Sequence, residues 1–438
     1  MITKLNFTDR TIKSYAIRKL TPKECFRLMG VRDNVIGTMQ SSNAQAAERL
    51  PDWKGKGKPE DMAISASQQY KQAGNSIVVD VLAHIYEQLF YPATPKPRPG
   101  AQLSLFDDIE DTLPAMPPTA DKNEEKIFLT TFSGYDSQLM AADVLREWHP
   151  DFRWTCKGWS DIDKYACQMH NLVFPQFADC ALGDITKIDW HKVKRSLDGR
   201  EVDLFTYSSP CQDISQAGKQ MGLQEGSDTR SALLWRVADA VEVLRPKYLL
   251  QENVAALVSH KFKPDFQKWL DKLSSLGYVS RWARLNAKNY GVPQNRDRVF
   301  CISMRRDVAF DYQFPEPFEL KTRLEDVLEE EVSDRYFLKD DAVSKFLKAN
   351  DSDNTLFVQF DLPPTHEAAM FLKTWLTLWM QAADGWNMTP ASLQHALNSA
   401  RQKMELSYSV FTDKGVTALG EEFARLFKEN MERKKDGV

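Results

Sequence analysis

The sequence lacks the features that mark membrane and secreted proteins. No apolar run in its 438 residues approaches the length needed to cross a bilayer, and the first ten residues lack the apolar core of a signal peptide. The six cysteines form no C-x-x-C pair, so neither a zinc site nor a disulfide framework is indicated. We therefore expect a cytoplasmic protein with free thiols, no membrane contact and no metal.

A strong charge of either sign is also absent. The formal net charge is -4, which argues against a protein that coats nucleic acid by charge alone but allows a local basic groove. Residues 1–90 are the more basic part, with Lys54, Lys56 and Lys58 clustered among glycines, whereas residues 320–438 are acidic. A polyanion should therefore bind nearer to the start of the chain.

The chain contains four segments of different character. Residues 1–90 are predicted to form a small, mostly helical unit, in which Gly30 ends a first helix and a polar loop occupies 31–67. Asn75 or Ser76 should cap a further helix over 77–90. Seven prolines predict a linker over residues 91–125.

The last segment is acidic and patterned for helices. We predict an acidic helix over 324–331, a loop near 350–354, and three helices beyond it, over 365–380, 389–406 and 415–431. Residues 341–438 should therefore form a mostly helical C-terminal region.

Residues 126–318 alternate short apolar strands with helical patterns, and we extend this domain to residue 340. The alternation predicts an α/β fold with a doubly wound, mainly parallel sheet. In such a sheet, ligands bind in a crevice at the carboxyl ends of the strands. The predicted strands cover residues 126–132, 153–159, 202–207, 247–251, 279–285 and 299–304.

Two of these strands end in side chains that can do chemistry. Strand 202–207 leads through two serines and Pro210 to Cys211, and strand 247–251 leads to Glu252 and Asn253. A cysteine after a strand is more often a small buried hydrophobe than a nucleophile, and a glutamate there is commonly an ion-paired surface group. A thiol and a carboxylate facing one crevice favour the catalytic interpretation.

The first strand leads into a segment that could hold a nucleotide. Ser133 and Gly134 stand between the strand and a predicted helix, where such folds bind phosphate or nucleotide groups. Asp161 follows the second strand, about 27 residues after Gly134, at the spacing typical of a ribose-binding carboxylate. One glycine is not a glycine-rich loop, so this signal alone is weak.

Several motifs together resemble those of the DNA (cytosine-5)-methyltransferase family. PCQ at 210–212 is similar to its nucleophile motif, ENV at 252–254 to its cytosine-holding motif, and QNRDR at 294–298 to its Gln-x-Arg-x-Arg motif. Residues 18–30 and 72–77 resemble its ninth and tenth motifs, which normally close the chain. Their position at the start implies a circular permutation, which is feasible because chain ends of a compact domain often lie close together.

The resemblance implies a Rossmann-like, S-adenosylmethionine-dependent enzyme of bacterial or phage origin that modifies a cytosine flipped out of double-stranded DNA. Cys211 would form a covalent adduct with the base, and Glu252 would supply a proton. Gln294, Arg296 and Arg298 would donate hydrogen bonds to the ring carbonyl and phosphates. The implied cofactor-binding residues are Phe132, Gly134, Tyr135, Asp136, Ser137, Asp161, Ile162, Asp184, Ile185, Pro210, Asn75 and Ser76.

Two departures from the family pattern leave alternatives open. Asp136 and Ser137 stand where the cofactor loop of the family usually carries a Gly-Gly pair, and residues 341–438 occupy the place of a target-recognition domain without resembling one. An RNA cytosine-5 methyltransferase, or a non-catalytic DNA-binding protein with a degenerate cofactor site, remain alternatives. We expect a monomer.

One apolar peptide interrupts the linker. Gln102, Leu103, Leu105 and Phe106 belong to the run QLSLF, which resembles the short peptide that docks many bacterial replication and repair proteins onto the sliding clamp. The same side chains could instead pack on the methyltransferase core as a strap, which is the interpretation we prefer.

Overall fold

The computed structural model describes residues 17–41, 64–92, 113–117, 124–210 and 233–339, and the backbone of three strands elsewhere. The chain divides into two compact units, Pro22–Glu329 and a second unit made of Met1–Thr21 with Glu330–Val438. These limits differ from the predicted boundaries at 90 and 340. Cys211, the QLSLF peptide and the three helices predicted beyond residue 360 lie outside the described residues.

The smaller unit contains an antiparallel sheet that was not predicted. Strand β1 (Ile2–Asn6) pairs on one side with β2 (Thr11–Tyr15) and on the other with β9 (Thr355–Gln359). The prediction of a mostly helical start was therefore wrong for residues 2–15, and the helical region does not include β9. Each strand has only five residues, and so short an alternation is a weak signal until its partners, far apart in the sequence, pair with it.

Four helices lie in the described residues at the start of the larger unit. They are α1 (Pro22–Arg27), α2 (Asp33–Gln40), α3 (Ala66–Asn75) and α4 (Val79–Phe90). The first agrees with the predicted helix, and Gly30 follows it with a φ of 75°, a left-handed conformation that glycine adopts readily.

Two helices correct the prediction for the segment between Val31 and Ile77. The described part of the predicted polar loop contains α2 and the start of α3, and α3 continues to Asn75, one of the two residues predicted to cap the next helix. Ser76 therefore ends α3 and does not cap α4, which begins at Val79. The polar residues of α3 are mostly good helix formers, and Ser65 caps the helix by accepting a hydrogen bond from the N–H of Gln68.

A six-stranded sheet forms the centre of the larger unit. Its order is β4-β3-β5-β6-β8-β7. The first four strands in that order are parallel, whereas β8 runs antiparallel to both neighbours. The six predicted strands and the mainly parallel sheet are thus confirmed, with β8 as the exception. The bounds are β3 (Lys126–Thr131), β4 (Trp154–Ser160), β5 (Leu204–Tyr207), β6 (Tyr248–Val254), β7 (Tyr278–Asn286) and β8 (Asp297–Arg305).

Helices cover both faces of this sheet, which confirms the doubly wound α/β fold. Along β3, Phe128 joins the core on one face, and Ile127 and Leu129 join the core on the other. The first core includes residues of α1 to α4, α5 (Ser137–Trp148) and α6 (Lys164–Val173), and the second includes residues of α7 (Trp190–Ser196), α8 (Leu234–Leu244) and α9 (Lys263–Ser275).

Other described elements are short. The acidic helix predicted over 324–331 is only a 3₁₀ turn, Leu324–Val327, which corrects that prediction. Within the described ranges, no helix is both long enough and apolar enough to span a membrane.

Helix α4 lies beside β3. The rings of Tyr86 and Phe90 contact Phe128, with centroid distances of 5.7 and 6.0 Å. Ile85 is fully buried in the same core. The helix at the start of the chain therefore contributes directly to the core of the α/β domain.

Ile85→Ala should lower the free energy of unfolding by about 2–5 kcal/mol, because it leaves a cavity in this core. The control Glu147→Ala changes an exposed residue of α5 and should have an effect below about 0.5 kcal/mol. Urea denaturation followed by circular dichroism measures both. Equal effects of the two substitutions would contradict the assignment of α4 to the core.

Candidate active site

A cavity of about 630 Å³ lies where β3, β4, β5 and β6 end. Its wall includes the segments that directly follow these strands, and residues of α3 complete it. A volume of this size is typical of a site for a small molecule or cofactor. The crevice expected at the carboxyl ends of the strands is therefore present.

Most of the predicted cofactor-binding residues line this cavity. Asp136 does not line the cavity, because it is fully buried in the protein. The lining members of the predicted set are Phe132, Gly134, Tyr135, Ser137, Asp161, Ile162, Asp184, Ile185, Pro210, Asn75 and Ser76.

The loop between β3 and α5 is held by the end of β4. The N–H of Gly134 donates to Oδ2 of Asp161 at 2.8 Å, and the N–H of Asp163 donates to Oδ1 of the same carboxylate at 2.8 Å. Burial raises the pKa of Asp161, while these hydrogen bonds act in the opposite direction. Asp161 thus joins two walls of the cavity and also lines it.

The lining fits a ligand that has both an apolar ring and a polar part. Ile162 is 76% exposed and offers an apolar surface beside the cavity. Gln72 is only 8% exposed, yet among the described residues neither atom of its side-chain amide has a hydrogen-bond partner. A buried polar group left without a partner costs about 1–3 kcal/mol. S-adenosylmethionine, with an adenine ring and a charged amino-acid group, can satisfy both features.

The part of the cavity wall that α3 and α6 form was not predicted from the sequence. Lys71 and Asp163 form an ion pair across it, with 2.6 Å between Nζ and Oδ2. Burial alone would raise the pKa of Asp163, but Lys71 and the N–H groups at the start of α6 lower it below its ordinary value. The Ser65 cap and the helix formers after it could have placed Lys71 and Gln72 on a helix, although not at this cavity.

Two hydrogen bonds hold the end of β5 in place. The Nδ2 group of Asn253 donates to the backbone oxygen of Ser209 at 3.2 Å. The hydroxyl of Ser208 donates to the backbone oxygen of Phe132 at 3.4 Å. These contacts fix Pro210, and therefore the point from which the chain continues to Cys211, beside the loop that follows β3.

Glu252 and Arg298 lie together at the opposite side of the cavity. Oε1 of Glu252 is 3.2 Å from Nε of Arg298, and Glu252 is 8% exposed. Burial raises the pKa of Glu252 above its ordinary value, although Arg298 and Arg296 both act to lower it. This carboxyl therefore keeps its proton to a higher pH than an exposed glutamate does.

Arg296 and Gln294, in the same QNRDR run, bind the protein backbone. Nη2 of Arg296 donates to the carbonyl oxygens of Gly74 and Ser76 at 2.9 and 2.5 Å, and Nε2 of Gln294 donates to that of Leu28 at 3.3 Å. Arg296 also lines the cavity, whereas Gln294 does not. The hydrogen bonds that were predicted to reach a base are directed here to the segments that end α1 and α3.

Glu252→Gln should remove a stabilisation that the parent protein has at low pH and loses as the pH rises. Because the pKa of Glu252 is raised in the native state, the native state retains this proton at pH values where the unfolded chain has lost it. The resulting stabilisation is complete below the ordinary pKa of 4.5 and is lost as the pH rises through the native pKa. Glutamine does not titrate.

The free energy of unfolding of the parent, relative to that of Glu252→Gln, should therefore fall as the pH rises from 4.5 through the native pKa. Urea denaturation at a series of pH values measures this difference. All other titrating groups are shared, so a difference that stays constant over the range would contradict the raised pKa.

Comparisons with known proteins give matches to methyltransferases. Type II methyltransferase M2.ScrFI of Lactococcus lactis subsp. cremoris is 48% identical over 162 residues, which are 37% of this chain and 43% of that protein. Orphan methyltransferase M.SssI of Spiroplasma monobiae is 40% identical over 161 residues, covering 36% and 39%. The solved Dnmt2 methyltransferase of S. pombe is 20% identical, with a TM-score of 0.39 over 52% of this chain and 67% of that one.

The chain thus spans less than half the length of these two curated relatives. A family profile covers much more of it. The profile described as C-5 cytosine-specific DNA methylase matches residues 2–91 and 146–409, which include the motifs at 210–212, 252–254 and 294–298 and both motifs near the start. The chain therefore belongs to the C-5 cytosine-specific DNA methylase family.

Proposed function

We propose that this protein transfers the methyl group of S-adenosylmethionine to C5 of a cytosine in double-stranded DNA. The observation that carries the proposal is one cavity lined by Gly134 and Asp161 on one side and by Pro210, Glu252 and Arg298 on the other. A cofactor site and a base site that share a cavity suit direct transfer between two bound molecules. Membership of the family supports the same reaction. We place the reaction in the cytoplasm, and we propose that the protein acts as a monomer.

Cytosine C5 is a weak nucleophile and needs covalent activation. Cys211 follows Pro210 directly, and we assign it as the nucleophile. Its thiolate adds to C6 of the ring, which turns the C4–C5–C6 part into an enamine with a nucleophilic C5. The bound cofactor supplies an electrophilic methyl group. Loss of the C5 proton and expulsion of the thiolate then restore the aromatic ring.

Glu252 is the proposed acid. Its raised pKa favours the protonated carboxyl, which donates to N3 as negative charge builds in the ring during attack on C6. Arg298 lies 3.2 Å from this acid, and we assign its guanidinium to the ring carbonyl oxygen. Arg296 and Gln294 act as positioning residues through their backbone contacts. Because C6 is hidden in stacked DNA, the base must leave the helix.

Cys211→Ser should abolish methylation. With labelled cofactor and duplex DNA, the parent should form 5-methylcytosine, whereas the variant should leave no detectable label, because a serine hydroxyl is a much weaker nucleophile than a thiolate. Cofactor affinity measured by calorimetry should stay close to that of the parent. Cys180→Ser is the control, since Cys180 is a half-buried thiol that does not line the cavity and donates to the backbone oxygen of Cys156, and it should retain activity.

Three outcomes would replace the proposal with another function. Label on adenine or on the exocyclic N4 of cytosine would contradict the C5 mechanism. Transfer to tRNA in preference to duplex DNA would indicate an RNA cytosine-5 methyltransferase. A well-folded parent that binds no S-adenosylmethionine would indicate a DNA-binding protein with a degenerate cofactor site.

We also propose that the chain is circularly permuted. The segments resembling the ninth and tenth family motifs contribute α1 and the end of α3, and α4, which follows them, packs against β3. Arg296 and Gln294 connect these segments to the Gln-x-Arg-x-Arg motif, to which they belong. If the segment were a loosely attached extension, Ile85→Ala would behave like its exposed control. Residues 341–438 would then serve target recognition or an accessory role, and 91–125 would join the permuted ends.

For the peptide at 102–106 we propose contact with a bacterial sliding clamp as a testable partner. A tether to the clamp would raise the local concentration of newly made DNA without changing the active site. The competing strap interpretation is supported by a neighbouring part of the predicted linker, because the N–H of Asp311 donates to the carbonyl of Pro114 at 2.9 Å.

A pull-down with the clamp separates these two roles. The double variant Leu105→Ala, Phe106→Ala should lose clamp binding, because it removes the side chains that would fill the apolar groove, and should keep the stability of the parent. Ser104→Ala is the matched control and should bind like the parent. Equal binding by parent and double variant, or no binding by either, would reject docking, and a loss of folding stability would support the strap.

A further inference from the structure

A cluster of buried polar side chains lies behind the loop that joins β3 to α5. Thr130, Ser133, Asp136 and His170 are all almost completely inaccessible to solvent. The hydroxyl of Thr130 donates to Oδ2 of Asp136 at 2.7 Å and lies 2.8 Å from the hydroxyl of Ser133. Nε2 of His170, on α6, is 3.3 Å from the same Oδ2. The methyl-transfer mechanism proposed above uses none of these groups.

Asp136 has a backbone conformation that suits glycine. Its φ and ψ are 65° and 56°, and Phe132 and Gly134 in the same loop also have positive φ angles, 54° and 59°. The left-handed conformation costs a residue other than glycine roughly 1–2 kcal/mol. Asp136 offsets part of this cost by capping α5, since its Oδ1 accepts a hydrogen bond from the N–H of Leu139 at 3.3 Å.

The buried carboxylate of Asp136 also needs a positive partner. Burial, and then the charge of Asp136, raise the pKa of the Tyr86 hydroxyl on α4 and of the Cys156 thiol on β4. Both groups would become anions on ionising, so neither can neutralise a carboxylate. The imidazole of His170 faces this carboxyl group, with Nε2 3.3 Å from Oδ2, although its N–H is not aligned for a hydrogen bond.

The surroundings of His170 keep its ring in one place. It stacks on the indole of Trp159 with 3.9 Å between the centroids. Trp159 itself is tied by a hydrogen bond from its Nε1 to the carbonyl of Phe177 at 2.8 Å. The imidazole is therefore a fixed point against which the loop is held.

We propose that Asp136 and His170 are positioning residues for S-adenosylmethionine, an inference that rests on the proposed function. Tyr135 and Ser137, the chain neighbours of Asp136, both line the cavity. Any change in the backbone at Asp136 therefore moves two parts of the wall, although Asp136 itself does not line the cavity. Where glycine would adopt this turn without help, the present chain holds it with the buried contact between Asp136 and His170.

The test is a double-mutant cycle on the full chain, with S-adenosylmethionine affinity measured by calorimetry. His170→Gln removes the imidazole that faces the buried Asp136 carboxyl, and we expect binding to weaken about tenfold or more as the loop shifts. Adding Asp136→Gly removes the stranded carboxylate and accepts the positive φ, so the double variant should return to within about threefold of the parent. Met169→Leu, a conservative core substitution on the same helix, should bind like the parent.

A second measurement needs no ligand. Amide hydrogen exchange in the loop at 133–139 should be faster in His170→Gln than in the parent, and should slow again in the double variant. A purely structural role for His170 would instead leave the double variant at least as impaired as the single one. Urea denaturation of the same proteins separates a local change in the loop from a general loss of stability.

Two results would overturn the proposal: parent-like affinity of His170→Gln, or a double variant that binds no better than His170→Gln. A parent that fails to bind S-adenosylmethionine would reject the proposed function. In that case the exchange data on the unliganded protein would still decide whether Asp136 and His170 hold the loop.

Discussion

The candidate site depends on the parallel pairing of three adjacent strands. Thr131 of β3 lies opposite Tyr207 of β5, and Tyr207 lies opposite Gln251 of β6. With this register, the residues that follow each strand reach the same edge of the sheet at the same level. The loop at Gly134, the turn at Ser209 and the carboxyl of Glu252 are brought together for that reason, although more than a hundred residues separate the first from the last.

The same edge of the sheet buries several carboxyl groups, and each has a different set of partners. Asp161 accepts two backbone N–H bonds, Glu252 faces Arg298, and Asp136 lies between Thr130 and His170. A buried carboxyl group without partners is costly, so each of these contacts offsets part of the cost of burial. Glu252 is the group that the proposed mechanism requires to be protonated. Burial raises its pKa, and only Arg298 and Arg296 act to lower it.

The Gln-x-Arg-x-Arg run contacts both Glu252 and the segments that end two of the helices. Arg298 lies at the acid, while Arg296 and Gln294 hold backbone carbonyls of the segments after α3 and α1. Carbonyl oxygens after a helix end need hydrogen-bond donors, and a guanidinium can supply several at once. Alternate residues of a single extended run can therefore reach Glu252 and the wall behind it.

The sequence by itself determined the α/β class, the six strands of the central sheet and the residues at their ends, because apolar runs and turn residues are local signals. It failed for α2 and α3, whose polar composition resembles that of a loop, and for the antiparallel sheet of β1, β2 and β9, whose pairing joins distant segments. Only the tertiary structure decided that Arg296 binds backbone, that Gln72 lines the cavity, and that Asp136 faces His170. Burial and hydrogen-bond partners depend on residues far apart in the chain, so no local pattern could specify them.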